Sequence, residues 1–241
     1  MTIPSSQNDA EFDASGMRKP LRKRGIRRVE ILLDATEALL EETTDVDISL
    51  SLIAERANVP LPSIYHFFPN RNSILVVLAQ RFHKRLAAAA NAPLDPAPER
   101  WQDIIHRRQI SGAAYLNRHP AALRLFMGAG VSAEVRNLDL RGNASLAESR
   151  AREFRTWFDC SGILDLEHRL AVSIGVMDGI WAISWSQHRQ VTDDYLAEST
   201  LAATAYLRCF LPEVLRHASD RAGKQNILSL STPQAPKQDI P

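Results

Sequence analysis

The stretch that decides the fold is ISLSLIAERANVPLPSIYHFFPNRNSIL, residues 48–75. Its apolar residues recur at three- and four-residue steps, which is the spacing of one face of a helix. Ser49 is a good N-cap residue, so we expect a short helix over residues 49–57. Residues 58–60, Asn-Val-Pro, then form a tight break, because asparagine tolerates the left-handed backbone conformation that such turns need. A second short helix is expected over residues 61–68.

Two short helices joined by a tight turn predict a helix-turn-helix, the unit that places its second helix in the major groove of DNA. Ile53, Val59 and Ile64 are expected where the two helices cross, and Ala57 is small enough to allow a close approach. The alternative is a helical hairpin that has no part in binding.

A block of basic residues precedes this unit. Seven of the eleven residues from Arg18 to Arg28 are Lys or Arg and none is acidic, although the formal net charge of the chain is only +1. Such a block beside a helical unit indicates an arm that binds nucleic-acid phosphates. The alternative is a solvated, disordered tail. We expect the first helix to follow the block, over residues 29–42.

Helical periodicity continues through the rest of the chain, and no alternating strand pattern appears. Further helices are predicted over residues 73–90, 100–118, 121–127, 143–158, 166–189 and 193–211. Three prolines in residues 91–99 predict a linker. The predicted fold is all-α, with a three-helix helix-turn-helix domain followed by a helical-bundle domain. The expected divisions are a basic, flexible arm over 1–23, the DNA-binding domain over 24–90, a second helical domain over 98–217 and a disordered tail over 218–241.

The composition excludes several other classes of protein. Hydrophobic residues make up 45% and charged residues 24% of 241 residues, which are ordinary values for a globular protein. No apolar run is long enough to cross a membrane, and the N-terminus lacks the apolar core of a signal peptide. Cys160, Cys209 and the scattered histidines lack the spacing of metal ligands. We therefore expect a cytoplasmic protein with no membrane partner, no metal and no cofactor.

The residues of the helix-turn-helix resemble those of the TetR/AcrR family of bacterial transcription regulators. The resemblance is strong over residues 24–80 and weaker afterwards. The matching positions are Ser49, Ile53, Ala54, Ala57, Val59, Ile64, Tyr65, Phe68 and Arg71. The chain departs from the family pattern at Asn58, which replaces the usual turn glycine, and at Leu61 and Pro62, where many members have Lys-Gly.

The resemblance implies which residues contact double-stranded operator DNA. Ser49 and Tyr65 would bind phosphates through their hydroxyl groups, and Arg71 would bind a phosphate as a cation. The residues expected to face the major groove are Leu61, Pro62, Ser63 and His66, and Arg24 of the basic block is a further candidate. The alternatives are a core position for Tyr65 and plain surface positions for His66 and Arg71.

The resemblance also implies a homodimer, since the last two long helices of the family pair with those of a second subunit. A strip of small residues suits such close packing and comprises Gly175, Gly179, Ala182, Ser186, Ala202 and Ala205. Pairing within one chain is the alternative.

A third set of residues is a candidate lining for a ligand cavity in the second domain. Its bulky members are Phe126, Met127, Phe154, Trp157, Trp181 and Trp185. Asp178, on the same helix as the last two, is the only charged residue from Ala171 to Ser186. An acid in such surroundings pairs with an arginine or binds a ligand. The alternative is that the bulky residues form ordinary core.

These observations predict a transcription regulator, a repressor that a small apolar effector releases from its operator. The alternative is a DNA-binding regulator that is controlled by a protein partner or has no small ligand. Residues 128–133 imitate a dinucleotide-binding fingerprint, but that motif needs a preceding strand, which the sequence does not predict. Enzymatic activity and catalytic residues are therefore not expected.

Overall fold

The structure is a computed structural model that describes residues 16–18, 20, 22–42, 48–128 and 132–219. These residues form nine helices and no strand, apart from an isolated bridge between Phe158 and His217. The helices are α1 (Lys23–Glu42), α2 (Leu50–Arg56), α3 (Leu61–Phe67), α4 (Arg71–Ala90), α5 (Trp101–Arg118), α6 (Pro120–Met127), α7 (Ala133–Trp157), α8 (Leu166–His188) and α9 (Asp193–Arg208). The all-α prediction is confirmed.

The local signals of the helix-turn-helix act as the sequence predicted. The Ser49 Oγ accepts a hydrogen bond from the Leu52 backbone N–H at 3.2 Å and so caps α2. Asn58 adopts a positive φ of 50°, which lets the chain turn sharply between α2 and α3. Pro62 occupies the first turn of α3, where a missing backbone N–H costs nothing.

Two helices begin earlier than predicted. Helix α1 starts at Lys23 rather than 29, and α7 starts at Ala133 rather than 143. The first turns of α1 are largely exposed and basic, so no apolar periodicity marks them. In the early part of α7, Asp139 is buried and forms an ion pair, with the Arg136 guanidinium 2.7 Å from its carboxylate. Periodicity of apolar residues cannot detect either segment.

The predicted arm and the predicted tail, at the two ends of the chain, lie largely outside the residues that the structure describes. Residues 1–15 of the predicted arm and residues 220–241 of the predicted tail lie outside the described residues. The proposed linker, residues 91–99, does separate α4 from α5. Residues 120–127, just before the imitation of a dinucleotide fingerprint, form helix α6 and not the strand that the fingerprint requires.

The apolar core crosses the linker. One cluster joins α1–α4 to α5, α6 and α8, and within it the rings of Phe82 and Phe126 meet edge to face with centroids 6.5 Å apart. A second cluster lies at the other end of the bundle and joins the start of α5 to the ends of α7 and α9, around Trp101, Phe154 and Leu207. Helix α4 therefore belongs both to the DNA-binding unit and to the bundle.

Ion pairs fix α4 to α1. The Arg81 guanidinium of α4 lies 2.6 Å from the Asp34 carboxylate and 3.3 Å from that of Glu30, and it also pairs with Glu37. On the neighbouring helix α6, the Arg124 guanidinium donates to the Leu40 backbone carbonyl at 3.2 Å. A displacement of α4 would therefore be transmitted to α1 and to the helix-turn-helix that packs on it.

Candidate nucleic-acid interface and cavity

Three predicted phosphate ligands lie around one surface hollow. Ser49, Tyr65 and Arg71 line it together with Pro69 and Asn70. The side chain of Tyr65 is 54% exposed, so it is not a core residue. Helix α2 positions Ser49, α3 positions Tyr65 and the first turn of α4 positions Arg71. Two hydroxyl groups and one cation on a common surface form a suitable contact for a phosphate.

The two faces of α3 differ in burial. Ile64 and Phe67 are buried, and Phe68 just beyond the helix is fully buried. On the other face, Leu61 is 40% exposed and both Pro62 and His66 are exposed, while Ser63 is partly buried. The buried face packs α3 against the rest of the helix-turn-helix. The four residues predicted to face the groove lie on the opposite, more exposed face.

Basic residues line a second hollow on the other side of α3. Arg18, Arg22, Arg24 and Arg28 surround it, along with Pro62, Ser63 and His66 of α3. The Arg18 backbone N–H donates to the Phe67 carbonyl at 3.0 Å, and its guanidinium lies 3.3 Å from the His66 Nδ1. Both ends of the basic block therefore lie beside α3, and Arg24 lies on α1 rather than on an arm.

A cavity of about 90 Å³ lies among α4–α8. Of the seven residues predicted to line a cavity, four do so, namely Phe126, Met127, Asp178 and Trp181. Phe154 is instead buried in the second apolar cluster, with Trp157 packed against that cluster. Trp185 is buried in the first cluster, near Gly128. The bulky residues of this set lie on α6, α7 and α8 and thus belong to two different cores.

Asp178 is buried and bonded to an amide rather than to an arginine. The Asn143 side-chain amide donates to its carboxylate. Burial, and then the nearby negative charge of Asp139, raise the pKa of Asp178 to about 7, against the lowering effect of Asn143. At neutral pH the carboxyl group is therefore divided between its protonated and ionised forms.

His83 of α4 closes the same end of the cavity. Its Nε2 lies 3.2 Å from the Asp139 carboxylate, and its ring centroid is 4.5 Å from that of Phe126. A Cβ on Gly142 would overlap the His83 ring, so a glycine is needed for the close approach of α7 to α4. Neither His83 nor Gly142 was predicted as a site residue.

The sequence also missed the polar groups on the walls of the cavity. Those that line it are His83, Arg108, Gln109, Asp139, Asn143 and Arg150. They come from three helices, and nothing in the spacing along one helix indicates that they face a shared space. The local signals were two ion pairs between residues three apart on α7, Arg136 with Asp139 and Arg150 with Glu153.

The predicted strip of small residues is largely uncovered. Gly175 and Gly179 on α8 are exposed, and a Cβ at either would meet no atom within 4 Å. Ser186 and Ala205 are exposed as well, while Ala182 and Ala202 are partly buried. Beside the strip, Ile183 is 48% and Leu201 61% exposed. This leaves an apolar face on α8 and α9 that no described residue covers.

The described part of the chain lacks two further features. It contains no group of three or more His, Cys, Asp or Glu residues placed to hold a metal ion. None of its helices combines the length and the apolar character needed to cross a bilayer.

Comparison with known proteins gives both a sequence relative and similar folds. No protein-family model matches the sequence. The chain is 34% identical over 125 residues to the HTH-type transcriptional repressor KstR of Rhodococcus jostii (strain RHA1), a match that covers 50% of this chain and 54% of that protein. The chain thus spans about half the length of the curated relative that it matches.

Solved structures resemble most of the chain. A TetR-family transcriptional regulator from Streptomyces coelicolor has a TM-score of 0.59 and 22% identity, and the match covers 76% of this chain and 99% of that one. SmeT, the repressor of the Stenotrophomonas maltophilia multidrug efflux pump SmeDEF, has a TM-score of 0.54 and 16% identity, with coverage of 88% and 97%.

The fold is that of solved TetR-family regulators, and the sequence relative is a helix-turn-helix repressor. Both findings agree with the resemblance that residues 48–75 carry. The relatives named above are all described as transcription regulators and none as an enzyme, which agrees with the expectation that the chain has no enzymatic activity.

Proposed function

We propose that the protein is a cytoplasmic, homodimeric repressor that binds a specific operator and leaves it when a small effector enters the cavity. The observation that carries this proposal is the convergence of Ser49, Tyr65 and Arg71 on one surface beside the outward face of α3. Phosphate contacts would fix the position of the protein on the duplex. Arg22 and Arg24 would add contacts to the backbone on the other side of α3.

Sequence specificity would come from the start of α3. Leu61 and Pro62 are exposed and can pack on thymine methyl groups, whereas Ser63 and His66 supply the hydrogen-bonding groups. This part of α3 has no Arg, Lys, Asn or Gln for a bidentate contact with guanine or adenine. We therefore expect half-sites in which thymines are preferred at the contacted positions.

The exposed face of α8 and α9 would form the dimer interface. Gly179→Trp would place a bulky ring on that face and overpack it, at a cost of a few kcal/mol to association. A Cβ at this position meets no atom of the same chain within 4 Å, so the folded monomer should tolerate the change. The variant should sediment as a monomer, remain helical and lose operator affinity. If it still sediments as a dimer, the interface lies elsewhere.

The effector would act through α4. This helix lines the cavity with His83 and Leu86 and is bound through Arg81 to α1. Because the cavity holds only about 90 Å³, a drug-sized ligand must part the surrounding helices. A ligand that binds only this expanded state would shift the population towards it and change the spacing of the two recognition helices.

Selection of bound fragments from a random DNA pool tests the proposal. A dimer should enrich an inverted repeat whose half-sites lie on one face of the duplex, about one or more helical turns apart. Replacing the contacted thymines by uracil should weaken binding, since each lost contact typically costs about 1–3 kcal/mol. Failure to enrich any sequence would contradict operator binding. Retention of full affinity in the uracil duplex would contradict only the apolar readout.

A further inference from the structure

The cavity has an excess of positive charge at one end. Arg108 of α5 and Arg150 of α7 both line it, and both guanidinium groups pair with the single carboxylate of Glu153. The Arg108 Nε donates to Glu153 at 3.1 Å, and each arginine also makes a shorter contact with it. Two cations that share one anion leave one unit of positive charge in this group.

This charge is held in a dry setting. The side chains of Arg108 and Arg150 are 7% and 12% exposed. Burial lowers the pKa of Arg150 to about 10, against the attraction of Glu153, and repulsion from Arg108 adds to the lowering. The guanidinium stays charged at neutral pH. A buried cation without full compensation is costly, so an added anion at this place would be favourable.

The rest of the cavity suits an apolar body. Leu146, Ile174 and Met177 line the wall between the two polar ends, with Trp181 beside them. The Trp181 Nε1 is already satisfied, since it donates to the Ser199 Oγ at 2.9 Å. Along α7, Asn143 at the far end precedes Arg150 by seven residues, a distance of about 10 Å along the helix axis.

From this arrangement we infer that the effector is an amphipathic monocarboxylate, whose carboxylate binds Arg108 and Arg150 and whose apolar chain runs towards Trp181. A single negative charge matches the single excess positive charge, and a planar carboxylate matches the fork of a guanidinium. The inference rests on the proposed function for the role of the cavity, but it can be tested without DNA.

The test is the stabilisation of the full chain by three eight-carbon probes, octanoate, 1-octanol and octylammonium, measured by thermal unfolding and calorimetry at pH 7.5. A ligand that binds only the folded state raises the melting temperature. Octanoate should bind about ten-fold or more tightly than 1-octanol, because it alone gains charge-assisted hydrogen bonds, and octylammonium should bind least. Equal binding of octanoate and 1-octanol, or no binding of octanoate, would overturn the inference.

Two variants separate charge from structure. Arg150→Gln leaves Arg108 and Glu153 as a neutral pair, so the preference for octanoate should fall to nearly that of 1-octanol. Glu153→Gln removes the shared anion, so octanoate should bind more tightly than to the native chain even if the variant is less stable. Arg141→Gln, an exposed change on the same helix, is the control and should leave the preference unchanged. A preference that survives Arg150→Gln, or falls in Glu153→Gln, would contradict the assignment.

The same probes separate this inference from the proposed function. If octanoate binds with the expected dependence on Arg150 but leaves DNA binding unaltered, the anion site stands and effector control fails. If an uncharged apolar probe releases DNA while octanoate does not bind, effector control stands and the anion site fails.

Discussion

The helix-turn-helix and the cavity hold their polar groups in opposite ways. Around α3 most of the side chains proposed to contact DNA are exposed, and Tyr65 keeps 54% of its surface accessible. Around the cavity the polar groups are buried and contact one another: Asn143 donates to Asp178, and the one carboxylate of Glu153 pairs with two arginines. In the proposed function, the first region would contact a large charged partner and the second would enclose a small one.

This difference has an energetic consequence. In the proposed function, removal of an exposed polar group near α3 weakens DNA binding. It hardly changes stability unless the group also caps a helix, since water replaces the lost partner. Removal or ionisation of a buried polar group changes stability first, because its partner is left without compensation. Substitutions of the same chemical type should therefore give different results in the two regions.

The largest effect is expected at Asp178. The pKa of this carboxyl group is about 7 in the folded chain and about 3.9 when unfolded, so the folded state retains a proton that the unfolded state has lost between these pH values. Stability should therefore fall as the pH rises from about 4 to about 7. Asp178→Asn removes this dependence and should stabilise the chain by about 2–4 kcal/mol at pH 8 and little at pH 4.

Chemical denaturation at several pH values measures this difference. Glu148→Gln, an exposed change from a carboxylate to an amide on α7, serves as control and should run parallel to the native chain. If Asp178→Asn also runs parallel to it, the carboxyl group is ionised throughout and its burial has no effect on its titration.

The next effect concerns the contact between α4 and α7. Gly142→Ala would bring a methyl group onto the His83 ring, which Phe126 and Asp139 confine. We expect a loss of about 1–2 kcal/mol in stability from overpacking. Gly162→Ala introduces the same group into open space in the turn between α7 and α8, and it should leave the stability nearly unchanged. Similar stabilities for the two variants would show that His83 has room to move.

A smaller effect should separate two capping serines. Ser49 caps α2, and Ser132 caps α7 by accepting from the Val135 backbone N–H at 3.3 Å. Replacing either serine by alanine should lower the stability of the chain by about 1 kcal/mol. Only Ser49→Ala should also weaken operator binding, by about three- to ten-fold, because its hydroxyl lies on the proposed DNA surface. Equal operator affinities of the two variants would remove Ser49 from that surface.

The same contrast explains what the sequence could predict. The helix-turn-helix follows from local signals, a capping serine, an asparagine with positive φ at position 58 and a proline in the first turn of α3. The outward face of α3 then follows from helical periodicity. The cavity depends on packing between five helices, so Phe154 and Trp157 resemble cavity residues by type but lie in a different cluster.

Buried charges were the main omission. His83, Arg108, Asp139 and Arg150 are polar and widely spaced in the sequence, and periodicity assigns such residues to a solvated face. Their burial depends on partners from other helices, such as Glu153 for Arg108, 45 residues away in the chain. The early starts of α1 and α7 were missed for a related reason, since few apolar residues mark either segment.

The most direct test of the central claim compares two double variants in a fluorescence titration of a selected operator fragment. Tyr65→Phe with Arg71→Gln removes two proposed phosphate contacts, and Tyr195→Phe with Arg152→Gln makes the same chemical changes far from α3. We predict that the first variant loses about ten- to a hundred-fold in affinity while its stability is little changed, and that the second binds as the native chain does. Equal affinities of the two double variants would contradict the assignment of this surface to DNA.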